Sequence, residues 1–425
     1  MADTAPSRRR HLVRRLGGFG SSVVINGVIS LAVVPIVITQ AGADLWAGIA
    51  VAQSIASFVA VVVTFGWAVT GPATVAGLSD EERSGYFRAS VAARVWLAVP
   101  SVPIMIGAVI LLAPGDRLAD VLAALALLLP ALGSSWFFVG EGSPRRLLLN
   151  ETVPRAAGTA LGALLLLTTH LPLEVFAGGQ ALGAVAAVAL GWRSVLRRYP
   201  GRLRFDLRAD VHRLRGQTGG VVTAVTAALY VNLPVVLAGV LLPNQVAVYA
   251  VVDKLQKLAL TALGPVFQVT QGSVGSADPV LRPARARSVG RVALVLGAAV
   301  ALGFALLGGL GVQILSSGRI SVPPLLVAAL GVALGAVSTS AIIGLSCLTA
   351  LGAVKQVAVS TVLGAIVGIP AILVGGILFG VTGIAIAAAL SEVVVAVYQV
   401  QVLRRRIGAS ERGSDVSPLL GSPTS

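Results

Sequence analysis

Residues 292–312 read VALVLGAAVALGFALLGGLGV and contain neither a charged nor a polar side chain. An α-helix rises about 1.5 Å per residue, so a run of about 20 apolar residues crosses the hydrocarbon core of a bilayer. Similar runs recur along the chain, which is 56% hydrophobic and only 12% charged, whereas roughly a quarter of the residues in a soluble protein are charged. The alternating segments of roughly ten residues that are typical of membrane β-barrels are absent. The sequence therefore predicts an all-α polytopic membrane protein.

The positions of these apolar runs predict about twelve membrane-spanning helices. The predicted spans cover residues 18–38, 46–67, 91–113, 119–138, 156–170, 174–195, 218–242, 246–270, 291–315, 322–346, 356–379 and 382–402. The basic segment near the start of the chain, RRRHLVRRLGG, precedes a full-length span without a small-residue cleavage site. We therefore expect an uncleaved first helix and not a signal peptide.

The net charge of +15 follows the predicted loops. Loops on one side carry 27 of the 32 lysines and arginines, whereas loops on the other side contain only Arg117 and Arg319. The remaining three, Arg94, Lys254 and Lys257, lie inside spans. Because basic loops stay in the cytoplasm, this asymmetry predicts that both termini are cytoplasmic and lie near anionic membrane lipids. It also argues against a nucleic-acid partner, since no folded basic domain presents the charge.

The longest basic loop divides the predicted spans into two groups of six. A weak internal repeat agrees with this division, because Gly20 matches Gly220 and Ala50 matches Ala250 at an offset of 200 residues. Secondary transporters are commonly built from such repeated halves. The expected organisation is a basic cytoplasmic N-terminus (1–17), an N-lobe (18–195), a basic cytoplasmic central loop (196–217), a C-lobe (218–403) and a disordered cytoplasmic tail (404–425).

Predicted span 8 carries three charged side chains, Asp253, Lys254 and Lys257. An ionised group in the bilayer centre is costly, so such groups face the interior of a helix bundle or a water-filled cavity. Asp253 and Lys257 are four residues apart and can pair on one helix face. Two interpretations stay open. One is a buried ion pair that fixes packing, and the other is a cationic pocket, with Lys254, for an anionic lipid headgroup such as a diphosphate.

Polar residues also follow the faces of three other spans, at Asn26 in span 1, Gln53 in span 2 and Tyr230 in span 7. Ser and Thr in such stripes also commonly join membrane helices. Spans 1, 2, 7 and 8 correspond between the two halves and hold most of this polarity, which favours a cavity. Glu392 in the middle of span 12 is a candidate proton or cation site. A protonated, hydrogen-bonded carboxyl group is the alternative there.

The sequence offers no arrangement of residues for making or breaking bonds. No GxSxG, HExxH, Walker or DxD pattern occurs, so we expect that the protein is not an enzyme. The one cysteine, Cys347, excludes an intramolecular disulfide and is expected to be a small buried hydrophobic residue. The three histidines lie in three different loops or span ends, so the sequence predicts no metal site and no cofactor.

Three stretches resemble bacterial O-antigen and polysaccharide flippases. Residues 134–155, SSWFFVGEGSPRRLLLNETVPR, are similar to the Trp-Phe-Phe-x-Gly-x-Glu stretch of those proteins. Residues 247–268, AVYAVVDKLQKLALTALGPVFQ, are similar to their span 8, and residues 64–78, TFGWAVTGPATVAGL, also fit. The resemblance extends over essentially the whole chain and points to the multidrug, oligosaccharidyl-lipid and polysaccharide exporter (MOP) superfamily.

The resemblance implies two six-helix lobes around a central cavity that is lined by spans 1, 2, 7 and 8. It implies a flippase of the bacterial cytoplasmic membrane that moves a polyprenyl-diphosphate-linked oligosaccharide to the outer leaflet by alternating access. The lysines of span 8 would contact the diphosphate, and the polar residues of spans 1, 2 and 7 would line the path of the sugars. The substrate-binding residues implied in this way are Lys254, Lys257, Asn26, Gln53 and Tyr230.

A cation-coupled multidrug exporter of the same fold is the alternative function. In either transporter, Asp253 or Glu392 is the candidate site for a coupling ion, H⁺ or Na⁺. Cationic drugs favour an acidic, aromatic-lined cavity, whereas this chain has 5% aromatic residues and two lysines in span 8. Two possibilities from a different class are a membrane-embedded glycan polymerase and a scaffold that binds polysaccharide assembly proteins.

Overall fold

The computed structural model describes residues 5–169, 171–201, 205–215, 218–275, 278 and 281–416. These residues are helical almost throughout, and none of them forms a β-strand. Short 3₁₀ or π segments extend or join some helices at Leu129–Leu132, Leu148–Thr152 and Ile343–Leu348. The α-helices are α1 (Ala5–Gln40), α2 (Ala43–Thr64), α3 (Trp67–Gly77), α4 (Asp80–Leu112), α5 (Arg117–Leu128), α6 (Ser135–Gly140), α7 (Pro144–Leu147), α8 (Val153–Thr169), α9 (Leu173–Arg198), α10 (Leu207–Arg215), α11 (Thr218–Leu241), α12 (Val246–Gly275), α13 (Arg282–Leu315), α14 (Pro324–Ile342) and α15 (Val354–Val416).

The long helices coincide with the predicted spans. Most of the predicted spans fall on a single helix, and α15 carries the last two. Predicted span 2 extends beyond α2 across a turn at Phe65 and Gly66, and predicted span 4 is interrupted between α5 and α6. Among the described residues, seven helical segments are long and apolar enough to cross a membrane. The predicted fold class is confirmed, and the protein is an all-α, multi-pass membrane protein.

Helix α13 contains the apolar stretch 292–312 and shows why it needs a lipid environment. Val295, Leu302, Leu306 and Leu310 recur at intervals of four or seven residues and are largely exposed. Residues at this spacing lie on one face of a helix. An uncharged face of this kind is stable only when apolar lipid chains cover it, because exposing it to water costs about 25 cal/mol per Å².

Helix α15 holds two spans because of one glycine. Gly380 has φ 63° and ψ −151°, a backbone conformation that side chains with a Cβ rarely adopt. The helix changes direction at this residue without a loop. The parts on either side then pack together, since a Cβ on Gly375 would lie 2.6 Å from the carbonyl oxygen of Gly383.

Two segments that we expected to be non-helical contain helices. Helix α15 continues to Val416, so residues 404–416 of the expected disordered tail are helical, and residues 417–425 lie outside the described part of the chain. Leu403 and Ile407 explain the continuation, because they are four residues apart and both are buried in an apolar cluster. The central loop contains α10, whose Leu214 is likewise buried.

The described residues form two compact units. The first consists of the chain up to Ala250 together with Gln313–Ile320, and the second consists of Val251–Val312 and the chain from Ser321 onward. The first unit contains an aromatic cluster around Trp136, and the second contains an aliphatic cluster around Ile343. Cys347 is buried in the second cluster, where its Sγ donates to the carbonyl oxygen of Ala286 at 3.5 Å.

Helices α8 and α9 approach each other through glycines. A Cβ on Gly179 would lie 2.7 Å from the carbonyl oxygen of Gly158 and 3.0 Å from the Cα of Gly162. A Cβ on Gly183 would lie 2.7 Å from the carbonyl oxygen of Pro154. Small residues spaced in this way let helix backbones pack closely in membranes, where water does not drive helices together.

We expect Gly179→Ala to destabilise the protein by about 1–3 kcal/mol, because the new methyl group overpacks this interface. The matched control is Gly178→Ala, since a Cβ at Gly178 has no neighbour within 4 Å. Alanine has the higher helix propensity, so the control is expected to be neutral or stabilising. Thermal unfolding of both variants in detergent measures the difference, and equal midpoints for the two would contradict the close packing of α8 and α9.

Candidate functional site

The charged residues of α12 form the candidate site. The Lys257 Nζ lies 2.8 Å from the Asp253 Oδ2, so the ion pair that their spacing allows is present. The two side chains are 34% and 13% exposed, respectively, which leaves the lysine accessible. Lys254 is partly buried and makes no ion pair or hydrogen bond within the described part of the chain. The site therefore has two ammonium groups and one carboxylate, so one positive charge is not neutralised.

Neighbouring residues of α12 show how this site is oriented within the second unit. The Leu255 side chain packs against Gly311 of α13, because a Cβ on that glycine would lie 2.7 Å from the Leu255 Cδ2. The Gln256 Nε2 donates to the carbonyl oxygen of Leu330 in α14 at 3.3 Å. Successive helical residues are rotated by about 100°. The charged sector of α12 is therefore turned away from the sector that packs on α13 and α14.

The structure places the other predicted substrate-binding residues in the first unit. Asn26 on α1 is exposed, and Gln53 on α2 is partly buried. The Gln53 carbonyl oxygen accepts a hydrogen bond from the Ser57 hydroxyl at 2.8 Å, one turn further along α2. The backbone of Tyr230 lies in α11, but its side chain falls outside the described part of the structure. Among the predicted site residues whose side chains the structure describes, Asp253 and Lys257 form an ion pair.

Glu392 lies on the second part of α15, where its side chain is partly buried and makes a polar or electrostatic interaction. Seven residues further on, the buried Gln399 donates through Nε2 to the Ser360 hydroxyl at 2.9 Å. This bond joins the two parts of α15. No group of three or more potential metal-ligating side chains exists among the residues described here.

Arg94 lies inside predicted span 3, and the structure shows a role for it that the sequence did not predict. Span 4 is broken by the 3₁₀ turn Leu129–Leu132, which releases backbone groups from the helical ladder. The guanidinium of Arg94 is fully buried and donates through Nη1 to the carbonyl oxygens of Ala131 (2.8 Å) and Gly133 (2.9 Å). The Trp192 Nε1 donates to the carbonyl oxygen of Leu132 at 2.8 Å.

Glu151 completes this network as a hydrogen-bond acceptor, whereas Arg94 and Trp192 are donors. Its Oε1 accepts a hydrogen bond from the Ser134 backbone N–H at 2.5 Å, and the carboxyl group is buried. A break in a membrane helix is tolerated only where other protein groups satisfy its backbone. Side chains from α4, α9 and the segment before α8 satisfy these groups here. The presence of a lone arginine within span 3 was the only sequence signal for this network.

The WFFVGE stretch, residues 136–141, also has a structural role. Glu141 accepts hydrogen bonds from the Arg146 Nη1 at 2.5 and 2.7 Å and from the Tyr199 hydroxyl at 2.6 Å. Burial and the hydrogen bond to Glu141 raise the pKa of Tyr199. Phe137 packs edge-on against the Tyr199 ring at a centroid distance of 5.8 Å. The stretch therefore fixes the end of α9 to the segment that follows span 4.

Comparisons with known proteins identify the fold. No protein-family model matches the chain, and no curated protein matches it either. The lipid II flippase MurJ in an inward closed conformation matches 96% of this chain and 93% of its own, with a TM-score of 0.65 and 12% identity.

Multidrug transporters of known structure match over similar lengths. An inward-facing multidrug resistance MATE family transporter of the MOP superfamily matches 92% of this chain and 96% of its own, with a TM-score of 0.57 and 14% identity. A mutant form of the Vibrio cholerae MATE transporter VcmN matches 96% of this chain and 98% of its own, with a TM-score of 0.59 and 15% identity. The chain therefore has the fold of the MOP superfamily transporters, over nearly its whole length.

Proposed function

We propose that this protein is a flippase that moves a polyprenyl-diphosphate-linked oligosaccharide from the inner to the outer leaflet of a bacterial cytoplasmic membrane. The fold supports transport, because its structural neighbours are multidrug transporters and a lipid II flippase. The charged face of α12 is the observation that supports an anionic substrate. It holds Lys254, Lys257 and a single carboxylate, and it is turned away from the sector of α12 that packs on α13 and α14.

A diphosphate complements this face electrostatically. An unpaired cation within a membrane helix is costly, so Lys254 favours a conformation in which an anion or water solvates it. Hydrogen bonds between a lysine and phosphate oxygens are charge-assisted and therefore strong. Lys257 is held by Asp253, which fixes the direction of its ammonium group. In this proposal Asn26, Gln53 and Tyr230 line the path of the sugars.

The direction of transport follows from the expected topology. Both termini and the basic loops face the cytoplasm, where the lipid-linked oligosaccharide is loaded and where polysaccharide assembly proteins can dock. The headgroup enters the cavity while the prenyl chain stays in the bilayer, and the N-lobe and C-lobe rock to expose the headgroup outside. Binding of H⁺ or Na⁺ at Asp253 or Glu392 resets the lobes.

A cation-coupled multidrug exporter is the second candidate function. It is favoured by the similarity to MATE transporters and by the presence of two carboxylates, Asp253 and Glu392, on membrane helices. In this case the carboxylates bind the coupling ion or a cationic drug. The Asp253–Lys257 ion pair weighs against it, because a paired carboxylate attracts a second cation less strongly.

The decisive experiment is deletion of the gene in its source organism. Mass spectrometry of extracted lipids measures the lipid-linked oligosaccharide, and surface polysaccharide is quantified in the same cultures. We expect the full-length lipid-linked repeat to accumulate while the surface polymer is lost, and the mass of the repeat identifies the cargo.

Complementation with the wild-type gene is the control. Unchanged lipid intermediates, an intact surface polymer and a gain in sensitivity to cationic drugs would together overturn the flippase proposal in favour of drug export. Accumulation of flipped but unpolymerised repeats on the outer leaflet would instead indicate a polymerase.

A further inference from the structure

The C-terminal end of α9 forms one side of a basic cleft in the first unit. The cleft has a volume of about 510 Å³. Four of its lining residues are arginines, and none is acidic. The lining residues are Arg146, Asn150, Leu190, Arg193, Ser194, Arg197 and Arg198.

Arg146 forms the fixed part of the cleft. Its Nη1 donates to both carboxylate oxygens of Glu141, and its Nη2 donates to the backbone carbonyl oxygen of Ser194 at 2.7 Å. Its Nε donates to the Ser194 hydroxyl at 3.1 Å. The charge of Arg146 is therefore balanced by Glu141, and its side chain is immobilised.

The other three arginines provide unbalanced charge. Arg193 and Arg197 are exposed, lie one turn apart on α9, and make no ion pair or hydrogen bond within the described residues. Arg198 is 58% exposed, and its Nε lies 3.8 Å from Glu141, which Arg146 already neutralises. Like charges one turn apart repel each other on a helix. A phosphate between these guanidinium groups relieves this repulsion and matches their fork-shaped donors.

The apolar surface beside the cleft indicates that the phosphate belongs to a lipid. Leu190 lines the cleft and is 41% exposed, and Val185 and Leu182 on preceding turns of α9 are 50% and 72% exposed. Because α9 is apolar and long enough to cross a membrane, we expect these exposed side chains to face lipid chains. A ligand with an anionic head and acyl chains matches both surfaces at once.

We propose that the cleft at the end of α9 is a binding site for the phosphate headgroup of an anionic phospholipid. The exposed guanidinium groups of Arg193 and Arg197 bind the phosphate, Arg146 and Asn150 form the opposite wall, and the acyl chains follow the apolar face of α9. This site goes beyond the proposed transport function, because it lies in the first unit and uses none of the residues assigned to the transported substrate.

Two general effects also favour arginines at this position, and the test must separate them from a site. Basic residues at the cytoplasmic ends of spans orient membrane proteins, and basic residues at a helix C-terminus interact favourably with the helix dipole. Neither effect requires a cleft or selects one lipid. A site predicts that the position of the arginines matters as well as their number.

The test measures phospholipid binding to the purified full-length chain in detergent, by native mass spectrometry with phosphatidylglycerol and phosphatidylcholine. The site variant is Arg193→Gln/Arg197→Gln. The matched control is Arg405→Gln/Arg406→Gln, which removes two exposed arginines from the end of α15 and leaves the cleft intact. The site variant loses two solvent-exposed, charge-assisted contacts to the phosphate, each worth about 1 kcal/mol, so we expect it to bind phosphatidylglycerol about thirtyfold more weakly. The control is expected to stay within about twofold of the wild type.

Three results would overturn the proposal. Equal weakening in the site variant and the control would show diffuse electrostatic attraction. Equal affinity of the wild-type chain for phosphatidylglycerol and phosphatidylcholine would also overturn the proposal. This comparison uses only the wild-type chain, so it does not depend on how well the variant folds. Displacement of phosphatidylglycerol by an equimolar amount of glycerol phosphate would assign the cleft to a soluble phosphate and not to a lipid.

Discussion

A chain with Lys254→Gln and Lys257→Gln together is expected to accumulate the same lipid-linked oligosaccharide as the gene deletion. Hydrogen bonds that involve a charged group contribute about 1.5–3 kcal/mol each, so the loss of two such contacts lowers transport on the order of a hundredfold or more. Transport is measured as the rate of headgroup exposure on the outer leaflet, in cells that express the variant at the wild-type level. Lys355→Gln is the matched control, because it removes the only other lysine of the chain from an exposed position.

The single variants separate substrate binding from structure. Lys257→Gln leaves the Asp253 carboxylate without its partner at 2.8 Å, so it combines a lost contact with an unpaired, partly buried carboxylate. Lys254→Gln leaves that ion pair intact. We expect Lys254→Gln to reduce transport while the yield of folded protein stays unchanged. Full transport in Lys254→Gln, with poor folding of Lys257→Gln alone, would assign the ion pair to packing and contradict the diphosphate contact.

Replacement of Arg94 by leucine is expected to give the largest loss of stability. The substitution leaves the carbonyl oxygens of Ala131 and Gly133 without donors in a buried position. It also removes the nearby cation from the buried Glu151. Breaking a buried charged network by removing one partner typically costs about 3–5 kcal/mol. We expect a strongly lowered thermal midpoint in detergent and little folded protein by fluorescence-detected size exclusion.

Two further variants test the geometry of this network. Arg94→Lys keeps the charge but lacks the planar fork that reaches two carbonyl groups, so we expect it to recover only part of the stability. Glu151→Gln keeps an acceptor for the Ser134 N–H and is expected to cost less than Arg94→Leu. A thermal midpoint of Arg94→Leu within a few degrees of the wild type would contradict the role of Arg94 in the broken span.

Arg94 and Lys254 are both cations on membrane helices, but their surroundings indicate different roles. Arg94 has all its contacts within one unit and is fully buried, so it stabilises a single arrangement of backbone. Lys254 has no such contacts among the described residues, although it also lies on a membrane helix. A cation in a membrane protein that the protein itself does not satisfy is a candidate for binding a mobile anion.

Local sequence determined the helices and their approximate ends. Runs such as 292–312 must be helical in a bilayer, since a helix satisfies its backbone internally and apolar lipid covers its side chains. The i, i+4 spacing of Asp253 and Lys257 likewise indicated that they can pair, because residues at this spacing lie on one helix face, and the ion pair is present. Both results depend on neighbours within one or two turns, which a sequence shows directly.

The sequence-based prediction was wrong at the end of α15, and the cause is physical. Residues 404–416 belong to a tail that the sequence predicts to be disordered, because residues 404–425 are rich in serine, glycine and proline. They continue a helix that is anchored by the burial of Leu403 and Ile407. Burial depends on what packs against a segment, and composition alone does not contain that information.

The roles of individual polar residues depended on tertiary structure. The sequence by itself determined an all-α, multi-pass membrane protein, the approximate positions of most of its long helices and the charged face of α12. Only the folded chain showed that Arg94 binds the carbonyl groups of a broken span that lies nearly 40 residues away, and that Glu141 joins Arg146 to Tyr199. The cleft at the end of α9 also became visible only there. Such contacts join residues that are distant in the chain, and they exist only after helix packing has placed donors beside acceptors that the local backbone left unsatisfied.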